Sequence, residues 1–529
     1  MKKTAIVLSL VSFLLFGANV CAQEEGAYEV TGGKISGYEN EDGSVLIFKG
    51  IPFAAAPVGD LRWKAPQPVE SWEGVKECIE YGPAAIQPEQ APFMMWTEEF
   101  IIDTSLGYSE DCLYLNVWAP KAAEKAPVVM FIHGGGNTSG GASCDVYDGE
   151  ELAKKGVVYV DIGYRVGIFG FLASSELSAE SEDGVSGNYA LLDQIAALQW
   201  IRENIATFGG DPENVTIAGQ SAGSLNVNML TVCPEAAGLF KNAVTMSYNV
   251  IDASFPDLAT KEAEGDAIFD GRSLEEMRAL SAEEVQALSG SELATGMANF
   301  NIDGKFVIGN YEDTLLSGKD NDVTVLTGMV TGDSMLFGTF LTGNAFSGTG
   351  TEAPVTVEDY EAVVSSVTGD LAELFLAAYP ASNEEEVAAA LAESTLDMMV
   401  AMQEWNASSR SKVGEAKTYV YLFTHGMPGN DPASQGAFHT ADVPYWLGHF
   451  SSARQELWTD VDYMVGDTMS DFLVSLAATG DPNAEGLPAW SAFDSEAPVL
   501  TYMELGDEIS EKSFDEAKTT FWKAWYAGI

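Results

Sequence analysis

Short apolar runs alternate with helical patterns along this chain. VVMFIH (128–133), VVYVDIGY (157–164), NVTIAG (214–219), VTVLTG (323–328) and TYVYLF (418–423) are rich in β-branched or aromatic residues, and several end at Gly or His. Such runs read as buried strands. Between two of them, NYALLDQIAALQWIRENIATF (188–208) sets apolar residues at helical spacing and stops at Gly209-Gly210. Strands alternating with helices predict an α/β fold: a mostly parallel central sheet flanked by helices. Sites in such sheets form at the carboxyl ends of the strands. Two stretches, near 270–300 and near 355–405, predict helical insertions. The first holds SLEEMRALSAEEVQAL from Ser273, with capping-box patterns SLEE and SAEE; the second opens TVEDYEAVVSSV at Thr356. Each predicts surface amphipathic helices packed on the main body, or else a lid over a pocket. With no internal repeat or low-complexity linker, residues 23–529 read as one elaborated domain.

The first 22 residues stand apart. Lys2 and Lys3 precede the apolar run AIVLSLVSFLLF, and Val20-Cys21-Ala22 supplies small residues for cleavage. This predicts a secretory signal over 1–22 and a secreted or periplasmic mature chain. The apolar run is too short to span a bilayer, so no stable membrane insertion is expected. Cys21 leaves lipoprotein anchoring as a minor alternative, because Val20 is bulkier than the usual small residue before a lipidated cysteine.

With 26 basic and 79 acidic side chains among 529 residues, the formal charge is −53. Apolar residues at 46% and charged residues at 20% still make a composition that buries a core. The charge argues against nucleic acid as a partner, since phosphate contacts need clustered Lys and Arg. It serves solubility, or adaptation to a saline environment. Beyond Cys21 there are Cys78, Cys112, Cys144 and Cys233, too few for a disulfide scaffold, and no CxxC or HExxH pattern points to a metal.

Candidate chemistry sits at two strand ends. Gly219-Gln220-Ser221-Ala222-Gly223 fits G-x-S-x-G, a weak signal alone. Here it follows the strand NVTIA and precedes a helix-compatible run, so Ser221 would stand on a sharp strand-to-helix turn. His133-Gly134-Gly135-Gly136 follows VVMFI; its glycines would let backbone N–H groups converge on a developing oxyanion. His133 itself reads as a structural hydrogen-bonder. A serine nucleophile needs a base. After Ser221 come His425, His439 and His449. His425 ends a strand and leads into a turn, and His449 lies among apolar residues. His439, in the loop segment SQGAFHTADVPY, is preferred, with His425 second. The acid should follow a strand between Ser221 and His439. Asp333 in VTVLTGMVTGDS fits, and equally fits the cap of a turn.

FKGIPFAAAPVGDLRWKAPQPVESW, EDCLYLNVWAP, HGGG, YRVGIFGFL, the run GNYALLDQ through GQSAGS, and TGDPN together resemble the type-B carboxylesterase/lipase family, the cholinesterase-like branch of the α/β-hydrolases. The likeness runs from about residue 30 to about residue 526. It implies the α/β-hydrolase fold and a serine carboxylesterase needing no cofactor. It makes Ser221 the nucleophile, His439 the base and Asp333 the acid, with Gly135, Gly136 and Ala222 donating oxyanion N–H groups. It implies that activity falls as His439 becomes protonated at low pH.

Departures from that family's pattern bear on substrate and stability. Its acid is usually Glu, here the shorter Asp333. The usual disulfide partner of Cys112 is replaced by Ala85, so Cys112 is free or pairs with Cys78. HGGG is followed by Asn137 rather than an aromatic residue, which predicts a more polar pocket wall, and YRVG is preceded by Gly163 rather than Asn. Where cholinesterases carry Glu before the nucleophile and Trp before the EDC cysteine, this chain has Gln220 and Ile102. A cationic head would lose a carboxylate and an aromatic face. The expected partner is a small neutral or anionic ester with a short acyl or aryl group, including feruloyl-type esters. A lipase acting on longer acylglycerols and a non-catalytic recognition protein are the rival readings.

Overall fold

The computed structural model describes residues 26–93, 95–248, 250–251, 253–288, 299–343, 350–429 and 436–527. The expected signal segment and Cys21 lie outside these residues, as does part of the first helical insertion.

Eleven strands form the main sheet. In chain order they are β1 (Tyr38–Glu39), β2 (Val45–Pro52), β3 (Tyr114–Pro120), β4 (Ala126–Ile132), β5 (Val158–Ile162), β6 (Gly210–Gln220), β7 (Asn242–Met246), β8 (Thr324–Val330), β9 (Thr418–Phe423), β10 (Thr501–Leu505) and β11 (Ile509–Ser513). Across the sheet they run β11-β10-β9-β8-β7-β6-β4-β5-β3-β2-β1. The pairs from β5 through β4, β6, β7, β8 and β9 to β10 are parallel. Antiparallel pairs close both edges. All five apolar runs singled out above are strands, and the predicted mostly parallel sheet is present.

Burial on both faces explains why these strands lack polar alternation. Val128, Met130 and Ile132 of β4 pack into one apolar cluster, while Val129 and Phe131 pack into another on the opposite face. The long helical pattern forms α1 (Tyr189–Asn204), whose Leu191, Ile195, Leu198 and Ile201 cover the first face. A short 3-10 turn, Ile205–Phe208, extends it to Gly209, which ends it in the left-handed conformation. Arg165 of the YRVG segment reaches Asp193 of this helix through two hydrogen bonds of 2.8 and 2.7 Å, fully buried. Removing either partner of such a pair costs roughly 3–5 kcal/mol. Arg62 and Glu110 join two further motif segments the same way, at 2.6 Å twice.

The topology also sets where a site can form. From β4 the chain passes to β5 on one side, then crosses to β6 on the other. The carboxyl ends of β4 and β6 therefore flank a switch point, where a crevice opens in parallel sheets. His133-Gly134-Gly135-Gly136 leaves one end and Ser221 leaves the other. Ser221 leads directly into α2 (Ala222–Thr231).

Both helical stretches form helices. In the first, α3 (Leu274–Arg278) begins at the predicted Ser273–Glu276 capping box and α4 (Ala282–Leu288) follows. The second gives α5 (Val357–Thr368), α6 (Ala372–Ala378) and the long α7 (Glu384–Ser411). Further on lie α8 (Val443–Leu447), α9 (Asp460–Thr479) and α10 (Glu516–Ala527). Helices α5, α6, α7 and α10 share an apolar cluster with β8 and β9. No helix among the described residues is long and apolar enough to cross a membrane.

One alternative is corrected here. Cys112 does not pair with Cys78: both are free and buried, as are Cys144 and Cys233. The surroundings differ, since Cys78 sits beside Lys76 while Cys112 is enclosed near Asp193 and Arg165. Burial raises all four thiols, those of Cys78 and Cys233 to about 11. We expect Cys78, Cys112, Cys144 and Cys233 of the folded protein to resist a thiol-exchange chromogen at pH 8 and all four to react on denaturation. A denatured count near two would show that one pair is bridged.

Candidate active site

Ser221 adopts φ 57° and ψ −125°, unusual for a residue with a Cβ. Such a conformation costs roughly 1–3 kcal/mol and persists only where the surroundings impose it. Its N–H is tied to the Met246 carbonyl at 2.8 Å. The flanking glycines are required sterically. A Cβ on Gly219 would stand 2.5 Å from the Gly223 carbonyl oxygen, and one on Gly223 only 2.0 Å from that of Ile132. Gly134 is also hemmed in: its Cβ would lie 2.9 Å from the Gln220 carbonyl oxygen and 3.0 Å from the Ser221 Cβ. The two glycine motifs thus interlock across the switch point.

Beyond Gly134 the chain turns through Gly135 (φ 105°) and Gly136 (φ 63°), both in the left-handed region. The Gly135 carbonyl accepts from Thr138 and Ser139 N–H at 3.0 Å each. Gln87 fixes the far side of the loop, accepting from Gly140 N–H at 2.8 Å and donating to its carbonyl at 2.7 Å. Among the described residues, no hydrogen-bond acceptor takes up the N–H of Gly135, Gly136 or Ala222. Ala222 N–H is also the first donor of α2, where unpaired N–H groups favour negative charge.

The structure brings His439 and Asp333 together. Nδ1 of His439 lies 2.6 Å from Asp333 Oδ1, both residues being buried. The other Asp333 oxygen accepts Val330 N–H at 2.9 Å. Asp333 thus caps its turn with one oxygen and meets the imidazole with the other. Gly332 ties this turn to the histidine loop by donating to the Ala437 carbonyl at 2.7 Å. With Nδ1 as donor, Nε2 is left as an acceptor, and the Gln220 amide nitrogen lies 3.3 Å from it. Ser221 and His439 line one cavity.

The remaining histidines are engaged elsewhere. His133 stacks on Tyr164 at 4.3 Å and bonds the Gly134 carbonyl through Nδ1 at 2.8 Å; burial lowers its pKa to about 4. It is structural, as expected. His425, the second candidate base, has Nδ1 at 2.6 Å from Asp507 and Nε2 at 2.8 Å from Asp462. Burial opposes protonation there, but the two carboxylates outweigh it and hold the pKa above the ordinary imidazole value. With both nitrogens occupied, it has none to offer a serine. His449 lies 3.8 Å from Asp145.

Sequence reasoning missed three groups. The Trp96 indole N–H donates to the Thr440 hydroxyl at 2.9 Å and lies 3.2 Å from the His439 carbonyl oxygen, pinning the loop that carries His439. Asp442, three residues past His439, is buried and accepts from the Tyr421 hydroxyl at 2.8 Å; burial and then the nearby Asp333 charge raise its pKa to about 7. Gln220 was read only as an absent carboxylate, whereas its amide meets the imidazole. No local pattern announces these contacts. One expectation is also corrected: Asn137 does not line the cavity. At φ 58° it turns inward, where its side-chain oxygen accepts from Asn226 at 3.0 Å.

The cavity holds about 370 Å³. Phe93, Trp96, Phe100, Ile101, Ile102 and Leu336 form its apolar wall, and among the described residues no lining residue carries a carboxylate, ammonium or guanidinium group. None of the described lining residues falls within 270–300 or 355–405.

A strand-to-helix serine beside a glycine loop, on a mostly parallel sheet, defines an α/β-hydrolase. More narrowly, the chain belongs to the carboxylesterase family, whose sequence profile matches residues 24–522. It is 31% identical to the fumonisin B1 esterase of Sphingopyxis macrogoltabida, over 91% of this chain and 88% of that one. It is 32% identical to the para-nitrobenzyl esterase of Bacillus subtilis (strain 168), over 88% and 92%. A solved structure of PNB esterase superposes with a TM-score of 0.71 at 29% identity, covering 94% of this chain and 100% of that one.

The interlocked glycines give a direct test. Gly223→Ala should destabilise the fold by about 1–3 kcal/mol or more, because its methyl meets backbone that cannot yield. Thermal melting should show an earlier transition, with esterase turnover falling alongside. A variant with unchanged melting and turnover would contradict the packing described.

Proposed function

We propose that this carboxylic ester hydrolase acts through an acyl-enzyme on Ser221, with His439 as base and Asp333 as its acid. The supporting observation is the buried 2.6 Å contact between His439 Nδ1 and Asp333, with Ser221 lining the same cavity. Ser221 Oγ attacks the ester carbonyl carbon while His439 Nε2 takes the hydroxyl proton. The carbonyl oxygen becomes an oxyanion facing the N–H groups of Gly135, Gly136 and Ala222. A donor of this kind is worth roughly 3–4 kcal/mol in the transition state. His439 then gives its proton to the departing alkoxide. Water, deprotonated by the same imidazole, attacks the acyl group and regenerates the serine. Asp333 keeps Nδ1 protonated and stabilises the imidazolium.

The substrate we infer is a neutral or anionic ester with a short acyl or aryl group, feruloyl-type esters included. Ring-bearing, uncharged cavity walls support this reading, as does Gln220 lining that cavity where a cationic head would need a carboxylate. Residues 1–22 are proposed to be removed on export, leaving Gln23 at the mature N-terminus.

A panel of p-nitrophenyl acetate, methyl ferulate, acetylthiocholine and emulsified long-chain triglyceride tests this. The first two should be turned over readily, with little hydrolysis of the cationic ester and no jump in rate at the oil interface. Ser221→Ala should lower kcat/KM by about 10⁴-fold or more with melting unchanged. An interfacial jump would favour the lipase reading. Undiminished turnover in the variant would remove Ser221 from the mechanism. Intact mass of the exported protein beginning at Gln23 checks the processing.

A further inference from the structure

Part of the aromatic wall of the catalytic cavity is open to solvent. Phe93 lines that cavity and is 58% exposed, more than any other aromatic side chain among the described residues. Its ring lies nearly parallel to the indole of Trp96, with 12° between the planes and 6.3 Å between centres. The two residues also exchange backbone hydrogen bonds, of 2.9 and 3.0 Å. Trp96 is half-buried and carries the contact inward. Its indole N–H is bound to the Thr440 hydroxyl, and its ring meets the His439 imidazole edge-on, at 84° and 6.5 Å between centres. A row of three rings thus runs from the solvent-exposed rim to His439.

The acyl-enzyme mechanism proposed above, on which this assignment rests, sets the substrate against that row. Ser221 takes the carbonyl carbon, and the glycine loop faces its oxygen. The departing alkoxide oxygen has to come within hydrogen-bond reach of His439 Nε2 to receive its proton. The alcohol group of the ester therefore lies on the imidazole side, where Trp96 stands. Phe93 lies beyond Trp96, toward solvent.

We propose that Phe93 and Trp96 form a subsite for the alcohol group of the ester and select an alcohol that ends in an aromatic ring on a short spacer. Ring faces and ring edges carry opposite partial charge, so an aryl group gains an offset or edge-on contact with Phe93 that a saturated ring of the same size lacks. The described lining carries no charged side chain, so a neutral aryl alcohol displaces no hydration from an ion. A cavity of about 370 Å³ takes a one-ring alcohol together with a small acyl group.

Acetate esters isolate the alcohol group, because each of them forms the same acetyl-enzyme. In the parent, kcat/KM should favour 3-phenylpropyl acetate over 3-cyclohexylpropyl acetate by roughly fivefold. Phe93→Ala and Phe93→Leu should each bring that ratio to within about twofold of unity, and Phe93→Tyr, which keeps the ring, should retain it. The ratio of methyl benzoate to methyl cyclohexanecarboxylate moves the ring to the acyl side, and it should be the same in Phe93→Leu as in the parent. No aryl preference in the parent, a preference that survives in Phe93→Leu or disappears in Phe93→Tyr, or a loss seen only with the ring on the acyl side would each overturn the subsite. Where Ser221→Ala abolishes turnover, those results remove the subsite alone. Undiminished turnover in Ser221→Ala would remove the acyl-enzyme reading, and the subsite with it.

Discussion

Two strand ends approach so closely that only glycine fits between them. The Gly223 α-carbon sits against the carbonyls of Ile132 and His133, and Gly134 sits against Gln220 and Ser221. Everything at the site follows from that contact. It forces Ser221 into a positive φ, aligns the start of α2 with the end of β6, and turns the Gly135-Gly136 loop across the same crevice. The sheet order supplies the opportunity, because β4 and β6 are neighbours on either side of a change in winding direction. Without glycine at these positions the strands would have to separate, and the loop and the serine would no longer face one another.

Electrostatics are arranged by depth. The chain is strongly acidic, yet the described lining of the catalytic cavity contains no charged carboxylate or cation. Beneath it lie Asp333, which receives a backbone N–H and the imidazole, and Asp442, which receives a tyrosine hydroxyl. Two carboxyl groups so near each other in a buried setting disfavour simultaneous ionisation. Burial, and then the Asp333 charge, raise Asp442 to about 7. Trp96 and Gly332 then anchor the loops that carry His439 and Asp333. The proposed relay is thus braced from three separate segments.

Much of this was legible in the chain itself, and the reason is local. The five apolar runs became strands because buried parallel strands need continuous apolar sequence, and 188–208 became a helix because its spacing admits little else. Ser221 and the glycine loop carry their signal in adjacent residues. His439 was separable from His425 only by setting, and the structure shows why: His425 is held between two carboxylates. What could not be read were partnerships between distant segments. Trp96 and His439 are 343 positions apart, and nothing beside either hints at the other. Asn137 misled because it replaces an aromatic residue of the family pattern and was read as pocket wall, whereas its backbone conformation here turns it toward Asn226. Glu404, in the last third of its helix, gave no sign that it would be buried with neither carboxyl oxygen hydrogen-bonded among the described residues.

The account stands on one hydroxyl being activated above all others in the molecule. Treating the mature protein with a fluorophosphonate and measuring intact mass, then mapping the adduct by peptide sequencing, tests that directly. One adduct per chain, on Ser221, formed in step with loss of ester turnover, is the result expected. Full loss of turnover with the adduct on another residue, or full turnover with Ser221 quantitatively modified, would contradict it.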